Sequence, residues 1–507
     1  MRTFVVSALL GLGLVSSRFA SAQGAPAGGP VAPASSASVD GGQEAANAVS
    51  APVENGARPA SSVDAAPAAP TLAAPAPKAG AVAVPVPAPT PPDSAPTSKE
   101  PFAFGDFTWL NGNDRRHKAL LETPYFTGSF MLDVNYSYSF ARPIDNTIVG
   151  STAVARHNEV ELGFLGFGGD FHYKNARARL ITQFGTRSTV VPRNDFSTTK
   201  GQFELANVYR YLAEANAGYH IDALSGINID VGMFMSYVGL FSYYNAENWA
   251  YQPSFTSDNT PWFFNGARIQ VFVSDKLKIE PWIINGWQTY GKFNEMPGFG
   301  GQILWRPKEW ISVLSNNYVG FDTANRPGRV RFHTDNSLQV RYFNDPTSFL
   351  DRAAFSLTQD FGFEDGGGVT AFGGDGGPAQ HFISGMAYHR TWFWKNKLGW
   401  TFGGGYIQNP GRYLVLLPTG EAQKKFDTSA GTKFSGWDAS TTFDFMPDDY
   451  QTWRLELVHR RASVPYFAGH GGVTSPDGYS TTPVPDGWEP DQKKSETRII
   501  AALLFRL

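Results

Sequence analysis

Apolar and polar residues alternate along most of this chain, and this alternation limits the fold more than any other feature. In the segment 127–141, Phe130 and Leu132 lie on one face and Asp133 and Asn135 on the other. A period of two places the two sets on opposite sides of a β-strand. The same criterion predicts about sixteen strands, near 127–141, 157–173, 176–188, 202–221, 227–238, 262–274, 277–287, 298–306, 310–320, 330–343, 349–361, 381–391, 397–408, 434–445, 451–462 and 496–507.

The connections between these segments are alternately short and long. Short periplasmic turns and longer extracellular loops are typical of outer-membrane barrels, whereas a soluble β-sandwich has no reason to show this order. The sequence therefore predicts an all-β fold, a transmembrane antiparallel up-and-down β-barrel of about 16 strands. The long connections are predicted at 142–156, 189–201, 239–261, 288–297, 321–329, 362–380, 409–433 and 463–495.

The final strand, 496–507, has Ile499 and Phe505 on its apolar face and Arg498 on the other. It resembles the closing strand of bacterial outer-membrane barrels, although a core strand of a soluble sandwich has the same pattern. We expect it to close the barrel against 127–141. The resemblance also implies that this ending is available for recognition by the barrel-assembly machinery.

The N-terminal part has the composition of a targeting and linking region. Residues 1–22 combine a basic start, an apolar run shorter than the roughly 20 residues of a spanning helix, and a cleavage motif ending at Ala22, which together predict a signal peptide. Residues 23–98 are rich in Ala and Pro and predict a disordered periplasmic tether, which one hypothesis connects with the cell wall. Residues 99–126 are aromatic and turn-rich and predict a collar or plug before the barrel, which occupies 127–507.

Composition argues against several classes of function. The chain has 0 Cys and 9 His without metal-ligand spacing, so we expect no metal site and no cofactor. A net charge of −3 gives no reason to expect a nucleic-acid partner. No nucleophile and base are spaced as a catalytic set, so we do not expect an enzyme.

Assigning the more apolar face of each strand to lipid leaves charged residues inside the barrel. A charge that faces lipid at the bilayer midplane costs about 2–4 kcal/mol. Sixteen strands also form a barrel that side chains alone do not fill. Charges of both signs would filter ions and polar solutes, or alternatively would pair with each other and stiffen the wall. The predicted pore-lining residues are Asp133, Glu159, Glu161, Arg177, Arg179, Arg268, Lys278, Glu280, Arg341, Arg352, Arg454, Glu456 and Arg498.

The predicted connection 239–261 is too aromatic for a free surface loop. We expect it to fold into the lumen and to narrow the pore. Packing across the extracellular rim is the alternative. The candidate constriction residues are Tyr243, Tyr244, Trp249 and Tyr251.

Three elements follow one another around this loop. They are a glycine-bearing strand at Val231–Phe241, a loop with the sequence Asn-Ala-Glu-Asn-Trp at 245–249, and a strand that contains Gly266-Ala-Arg268. This order resembles the β-barrel porin family described as OmpL-like. The resemblance implies a pore in the outer membrane of a Gram-negative bacterium and implies no particular substrate.

The function expected from these observations is that of a porin, a channel for the passive diffusion of ions or small hydrophilic solutes through a water-filled lumen. Its partners would be outer-membrane lipid and the solutes themselves. Many porins of this size are homotrimers, although a single sequence shows no interface. The alternative is a closed barrel that acts as an adhesin or cell-wall anchor without transport.

Overall fold

A closed antiparallel barrel forms most of the computed structural model, which describes residues 100–195, 197 and 200–507. The predicted signal peptide, 1–22, and the predicted tether, 23–98, lie outside the described residues. The sixteen barrel strands are β1 Phe126–Ser139, β2 Val160–Tyr173, β3 Ala176–Thr182, β4 Leu212–Ile221, β5 Ile227–Met235, β6 Phe263–Ser274, β7 Leu277–Ile284, β8 Gly298–Lys308, β9 Ile311–Gly320, β10 Val330–Asn344, β11 Leu350–Asp365, β12 His381–Phe393, β13 Leu398–Gln408, β14 Ser435–Phe445, β15 Gln451–Ala462 and β18 Ser495–Arg506.

The connections contain only short elements. In the last long connection, β16 Phe467–Ala468 pairs with β17 Gln492–Lys493 as a separate small sheet. The helices are α1 Arg187–Val190, α2 Leu205–Tyr209, α3 Phe255–Asp258 and α4 Glu421–Lys425. No helix among the described residues is long and apolar enough to cross a membrane.

The barrel closes where the sequence predicts, between the first and the last strand. β1 and β18 pair antiparallel, with Leu132 opposite Phe505 and Tyr138 opposite Ile499. Each remaining strand pairs with its neighbours along the chain, apart from the small β16–β17 sheet. The predicted fold class is therefore confirmed, and so is the alternation of short turns with long loops.

The two faces of the strands separate as the alternation predicts. In β1, Ser129, Asp133 and Asn135 are buried inside the barrel, whereas Tyr136 on the other face is exposed. Exposed apolar side chains continue around the outer surface, and a surface of this kind is stable only in contact with lipid. They include Leu162, Phe167, Ile229, Val231, Ile279, Ile283, Trp400, Phe443, Leu455 and Ile499.

The two largest errors in the predicted strand bounds both concern the connection 183–211. The predicted strand 202–221 is wrong over its first ten residues, where the chain forms α2 before β4 begins at Leu212. Leu205 and Tyr209, four residues apart, pack together against the interior cluster as one helix face. Residues four positions apart share a face in a strand and in a helix alike, so the alternation in this segment does not distinguish the two.

The predicted strand 176–188 ends early, at Thr182, because of Gly185. This glycine has a φ of +101°, and a Cβ there would lie 2.5 Å from the carbonyl oxygen of Leu162. Only glycine accepts this conformation readily, so the chain leaves the sheet and enters α1. The predicted strand 157–173 likewise begins three residues later than expected, at Val160.

Candidate functional site: the barrel interior

Ion pairs join the inward faces of β3 to β7 into a continuous ladder. Asp230 Oδ1 lies 3.1 Å from Arg177 Nε, and its Oδ2 lies 3.1 Å from Arg268 Nε. Arg268 also lies 3.7 Å from Glu280, which pairs with Lys278. The side chain of Arg177 is 35% exposed, so this ladder borders accessible space.

A separate group of ion pairs surrounds the predicted residue Arg179 on β3. Its guanidinium lies 2.6 Å from Asp170 Oδ2 and 3.0 Å from Glu214 Oε1. The pairing of these cations agrees with the alternative that wall charges neutralise one another. Sequence reasoning missed Asp230 and Glu214, although both occupy inward positions of the alternation and could have been found from it.

On the opposite side of the barrel, Asp444 binds two arginines. Arg454 Nε lies 2.7 Å from Asp444 Oδ1, and Arg390 Nη2 lies 2.8 Å from Asp444 Oδ2. Arg454 also donates to the carbonyl oxygen of Asn248 at 2.7 Å. Wall charges on this side therefore bind a loop as well as each other.

Three other predicted residues lie near the ends of their strands. Arg341 pairs with Glu309 at 2.9 Å, and Arg352 pairs with Asp106 at 3.1 Å. Arg498 pairs with Glu496 at 3.0 Å and is almost fully buried.

Glu159 lies in the connection before β2, one residue outside the strand in which it was predicted. It pairs there with Arg156 at 2.8 Å and accepts a hydrogen bond from Asn146 at 2.7 Å. These bonds lower the pKa of the Glu159 carboxyl from its ordinary value, the hydrogen bond from Arg156 contributing most. Glu159 therefore stabilises the long connection between β1 and β2.

The remaining predicted carboxylates, Asp133, Glu161 and Glu456, have no ion-pair partner within the described part of the chain. All three bind loop groups instead. Glu161 accepts from the backbone N–H groups of Ala155 and Arg156, at 3.2 and 3.0 Å. The carboxylates thus act as acceptors for chain that has left the sheet.

The 236–262 loop, which connects β5 to β6, receives most of these contacts. Glu456 accepts from the backbone N–H groups of Tyr251 at 2.6 Å and Gln252 at 2.9 Å. Asp133 accepts from the Tyr251 hydroxyl at 2.7 Å and from the Asn245 side chain at 2.8 Å. In the ring of sixteen strands, β15 lies six or seven strands away from β5 and β6, and β1 lies four or five away, so the loop reaches across the interior towards β15.

The four predicted aromatic residues of this loop are all buried. The hydroxyl of Tyr243 donates to Gln183 at 2.8 Å, and that of Tyr244 donates to Glu214 at 2.7 Å. Burial raises the pKa of Tyr243 to about 12 and that of Tyr251 well above its ordinary value, so both hydroxyls stay protonated donors. The fourth residue, Trp249, lies at the tip of the loop.

The tip of the 236–262 loop meets the N-terminal segment, residues 100–125. The backbone N–H of Trp249 donates to Asn111 at 2.8 Å, and its indole N–H donates to the carbonyl oxygen of Trp109 at 3.1 Å. Trp109 in turn donates to the carbonyl oxygen of Glu309 in a short turn, at 3.0 Å. The N-terminal segment also binds the turn before β15, where Arg115 donates to the carbonyl oxygens at positions 448 and 451.

Among the described residues, cavities adjoin these two elements, and three of them are of similar size. One, of about 320 Å³, lies among the long connections and includes Trp287 and Tyr413. A second, of about 270 Å³, lies at the short-turn end between the N-terminal segment and β12 to β15. The third, of about 230 Å³, lies between the 236–262 loop and the inner faces of β8 to β10. Among the described residues, no group of three or more His, Cys, Asp or Glu side chains is placed to hold a metal ion.

Comparison with known proteins shows which structures and which family this barrel is similar to. Among solved structures, the chain is similar to the outer-membrane channel DcaP of Acinetobacter baumannii, with 10% identity over 75% of this chain and 97% of that one and a TM-score of 0.41. An anion-selective porin from Comamonas acidovorans matches with 9% identity over 75% of this chain and 99% of that one, at a TM-score of 0.42. No curated protein sequence matches.

The family model described as "Putative beta-barrel porin-2, OmpL-like" matches residues 125–506, which span the whole barrel from β1 to β18. The resemblance seen in the sequence is thereby confirmed. The chain belongs to this OmpL-like family of β-barrel porins of the bacterial outer membrane.

Proposed function

We propose that the protein is a passive channel for ions and small hydrophilic solutes, and that the 236–262 loop narrows its lumen. The observation that carries the proposal is the attachment of this loop to charged side chains of the inner wall, at Asp133 on β1 and at Arg454 and Glu456 on β15. A loop bound in this way divides a wide barrel into narrower paths. The cavities above and below it are the spaces that a solute would use.

The N-terminal segment is proposed to form a second restriction, at the short-turn end. Its hydrogen bonds to the loop tip and to two short turns support a plug rather than a free collar. In outer-membrane β-barrels the short turns face the periplasm. The tether 23–98 would then hold this plug from the periplasmic side, with the cell wall as its proposed partner.

The pore-lining role of the predicted residues is part of the same proposal. The ladder from Arg177 to Glu280 would present both signs of charge to a passing ion. Outer-membrane lipid, small solutes and the assembly machinery are the expected partners, and a homotrimer is the expected assembly of a porin of this size.

A deletion tests the channel and its restriction together. The full chain, refolded and inserted in a planar bilayer, should give stepwise ohmic conductance. Deleting 243–252 should increase the unit conductance, because it removes the part of the loop that is bound to the inner wall. A matched ten-residue deletion, 367–376, lies in a mostly exposed connection and should leave the conductance unchanged.

Point substitution gives the same test without shortening the chain. Trp249→Ala removes the indole at the loop tip and should raise the conductance by a smaller step. Equal conductance in the wild type and both loop variants would contradict the constriction.

A second candidate function, a closed barrel that acts as an adhesin or cell-wall anchor, is favoured by one observation. Glu456, Arg460 and Arg498 are almost completely buried inside the barrel, as expected of an interior that is largely filled. Folded protein that stays silent in the bilayer, while keeping its heat-modifiable migration on a gel, would support this candidate and exclude the porin.

A further inference from the structure

Polar side chains interrupt the apolar outer face of the barrel on β9 to β11. Outward positions on these strands alternate with fully buried ones such as Asp335 and Asp360. Five of the outward side chains near the middle of the strands are polar and uncharged, and together they form the polar patch: Ser315, Asn317, Thr334, Asn336 and Gln359. Strand pairing brings them side by side, with Asn336 opposite both Ser315 and Gln359.

The polar patch lies at mid-height of the wall, between two groups of aromatic side chains. On the long-loop side the ring centroids of Phe332 and Phe363 are 5.4 Å apart, and on the short-turn side those of Tyr342 and Phe355 are 6.5 Å apart. Aromatic girdles mark the two interfaces of a membrane barrel. Asn336 lies near the middle of the 15 residues of β10, so the patch faces the depth of the hydrocarbon core, where water is absent.

Part of the hydrogen-bonding capacity of the patch is used within the chain. The hydroxyl of Ser315 donates to Asn336 Oδ1 at 2.7 Å, and Asn336 Nδ2 donates to Thr334 Oγ1 at 3.1 Å. The side chains of Asn317 and Gln359 are exposed and form no hydrogen bond with another described residue. Lipid tails offer no donor or acceptor, so two amide groups that face them are costly. A barrel surrounded only by lipid would leave these amides unsatisfied.

Other parts of the outer face suit lipid well. β2 lies eight strands from β10 in the ring, and its exposed outward residues include Leu162, Phe167 and Phe171. On β5, Ile229 and Val231 are exposed in the same way. The contrast indicates that β9 to β11 have a neighbour other than lipid.

Glycines beside the polar patch leave room for a close neighbour. Gly385 on β12 is opposite Gln359, and Gly301 on β8 is opposite Asn317. A Cβ at Gly385 would come no closer than 3.5 Å to the atoms around it, and one at Gly301 no closer than 3.4 Å. Packing within this chain therefore requires a glycine at neither position. Small residues allow protein surfaces to approach each other closely in a membrane.

We propose that the polar patch is a contact surface between copies of this chain in the membrane. The amides of Asn317 and Gln359 each carry donors and an acceptor, so the patch of one copy complements the patch of another without any charge. A surface that complements itself is what a contact between identical chains requires. That the chain assembles with itself rests on the proposed function, whereas the choice of surface rests on the patch alone.

Cysteine cross-linking tests the surface directly, because the chain has 0 Cys and any disulfide comes from an introduced thiol. Asn317→Cys and Gln359→Cys each place a thiol in the patch. Phe167→Cys is the matched control, on the exposed outer face of β2. The purified full chain, refolded in lipid vesicles and oxidised with copper phenanthroline, should give a covalent dimer for at least one patch variant and stay monomeric for the control. Since no other protein is present, the dimer identifies a second copy.

Leucine substitution tests the same surface without cross-linking. Asn317→Leu combined with Gln359→Leu removes both unpaired amides and suits lipid at least as well as the wild type, so the barrel itself should fold. We expect the dissociation constant of the assembly, measured by sedimentation equilibrium in detergent, to rise about tenfold, as for one lost hydrogen bond. Phe167→Leu should leave it unchanged.

The proposal is overturned if the control cross-links as readily as the patch variants, or if the leucine variant associates as tightly as the wild type. It is also overturned if the purified chain stays monomeric, which would leave a different membrane protein as the neighbour of the patch. Assembly that cross-links only from another face would reject this surface and keep the proposed self-assembly. Conductance by a monomer would reject the surface and keep the channel.

Discussion

Glu456→Gln tests how the 236–262 loop is held, because it changes one atom type and keeps the side-chain shape. Glu456 is fully buried and accepts three hydrogen bonds, from the backbone of Tyr251 at 2.6 Å, from the backbone of Gln252 at 2.9 Å and from the Thr442 hydroxyl at 2.7 Å. A glutamine has one acceptor oxygen, and its amide group would face a backbone N–H. One of the two backbone bonds to the loop is therefore lost.

The size of the effect follows from the charge on the acceptor. A hydrogen bond to a charged group contributes about 1.5–3 kcal/mol. Losing one at about 2 kcal/mol raises the population of detached loop roughly 30-fold. Asp133 and Arg454 still bind the loop, so we expect the main conductance to persist and brief steps to a higher level to become about 30 times more frequent.

Single-channel recording at fixed voltage measures these steps. The matched control is Glu421→Gln on α4, whose carboxylate makes only an outer ion pair with Lys424. Such surface pairs contribute about 0–1 kcal/mol, so this variant should behave as the wild type. If the two variants have the same step frequency, Glu456 does not hold the loop in a conducting channel and the reasoning is wrong.

Four further outcomes follow from the structure. Trp109→Ala, which empties a buried site at the short-turn end, should increase conductance in bilayer recordings, whereas Phe104→Ala at an exposed position should not. Leu455→Arg places a charge on the lipid face and should lower unfolding stability in urea by about 2–4 kcal/mol, well beyond the loss in Leu455→Ala. Arg268→Gln leaves Asp230 and Glu280 less neutralised, so the reversal potential in a salt gradient should move towards cation selectivity. Burial alone would raise the pKa of Asp106, but hydrogen bonds from Thr108 and the charge of Arg352 hold it below its ordinary value. The ionised form is thus stabilised, so docking of the N-terminal segment is complete above the ordinary carboxyl pKa and weakens as the pH falls below it. Conductance should rise at pH 3, and Asp106→Asn should remove that pH dependence.

The strands could be predicted from the sequence because their signal is local. Each inward–outward pair lies within a few residues, as with Leu132 and Asp133 in β1, and lipid on one side makes the contrast strong. The prediction fails in segments that pack inside the barrel and do not contact lipid. In α2, Leu205 and Tyr209 pack against interior chain, and a spacing of four then matters more than a spacing of two.

The partners of the predicted charges could not be found in this way. The alternation places Glu456 inside the barrel but does not say that it binds the backbone of Tyr251, which lies 205 residues away in the sequence. The same holds for the contact between Asn111 and Trp249. Such contacts depend on how a loop folds within a closed barrel, and that is decided by many distant residues together.

Charged residues of the inner wall differ in their partners. Those near β5 and β6 mostly bind each other, whereas carboxylates on β1 and β15 bind the 236–262 loop. Where the loop begins, at β5 and β6, the ladder around Asp230 and Arg268 satisfies its own charges, and the carboxylate that binds the loop there is Glu214 on β4, through the Tyr244 hydroxyl. On β1 and β15, Asp133 and Glu456 have no cation within ion-pair distance among the described residues, so they are free to accept from backbone and hydroxyl donors. A buried carboxylate is costly without partners, and a loop that brings N–H groups to it lowers that cost. The loop is therefore bound to acceptors on the inner wall at β4, β1 and β15, which supports a narrowed lumen in preference to a loop packed over the rim.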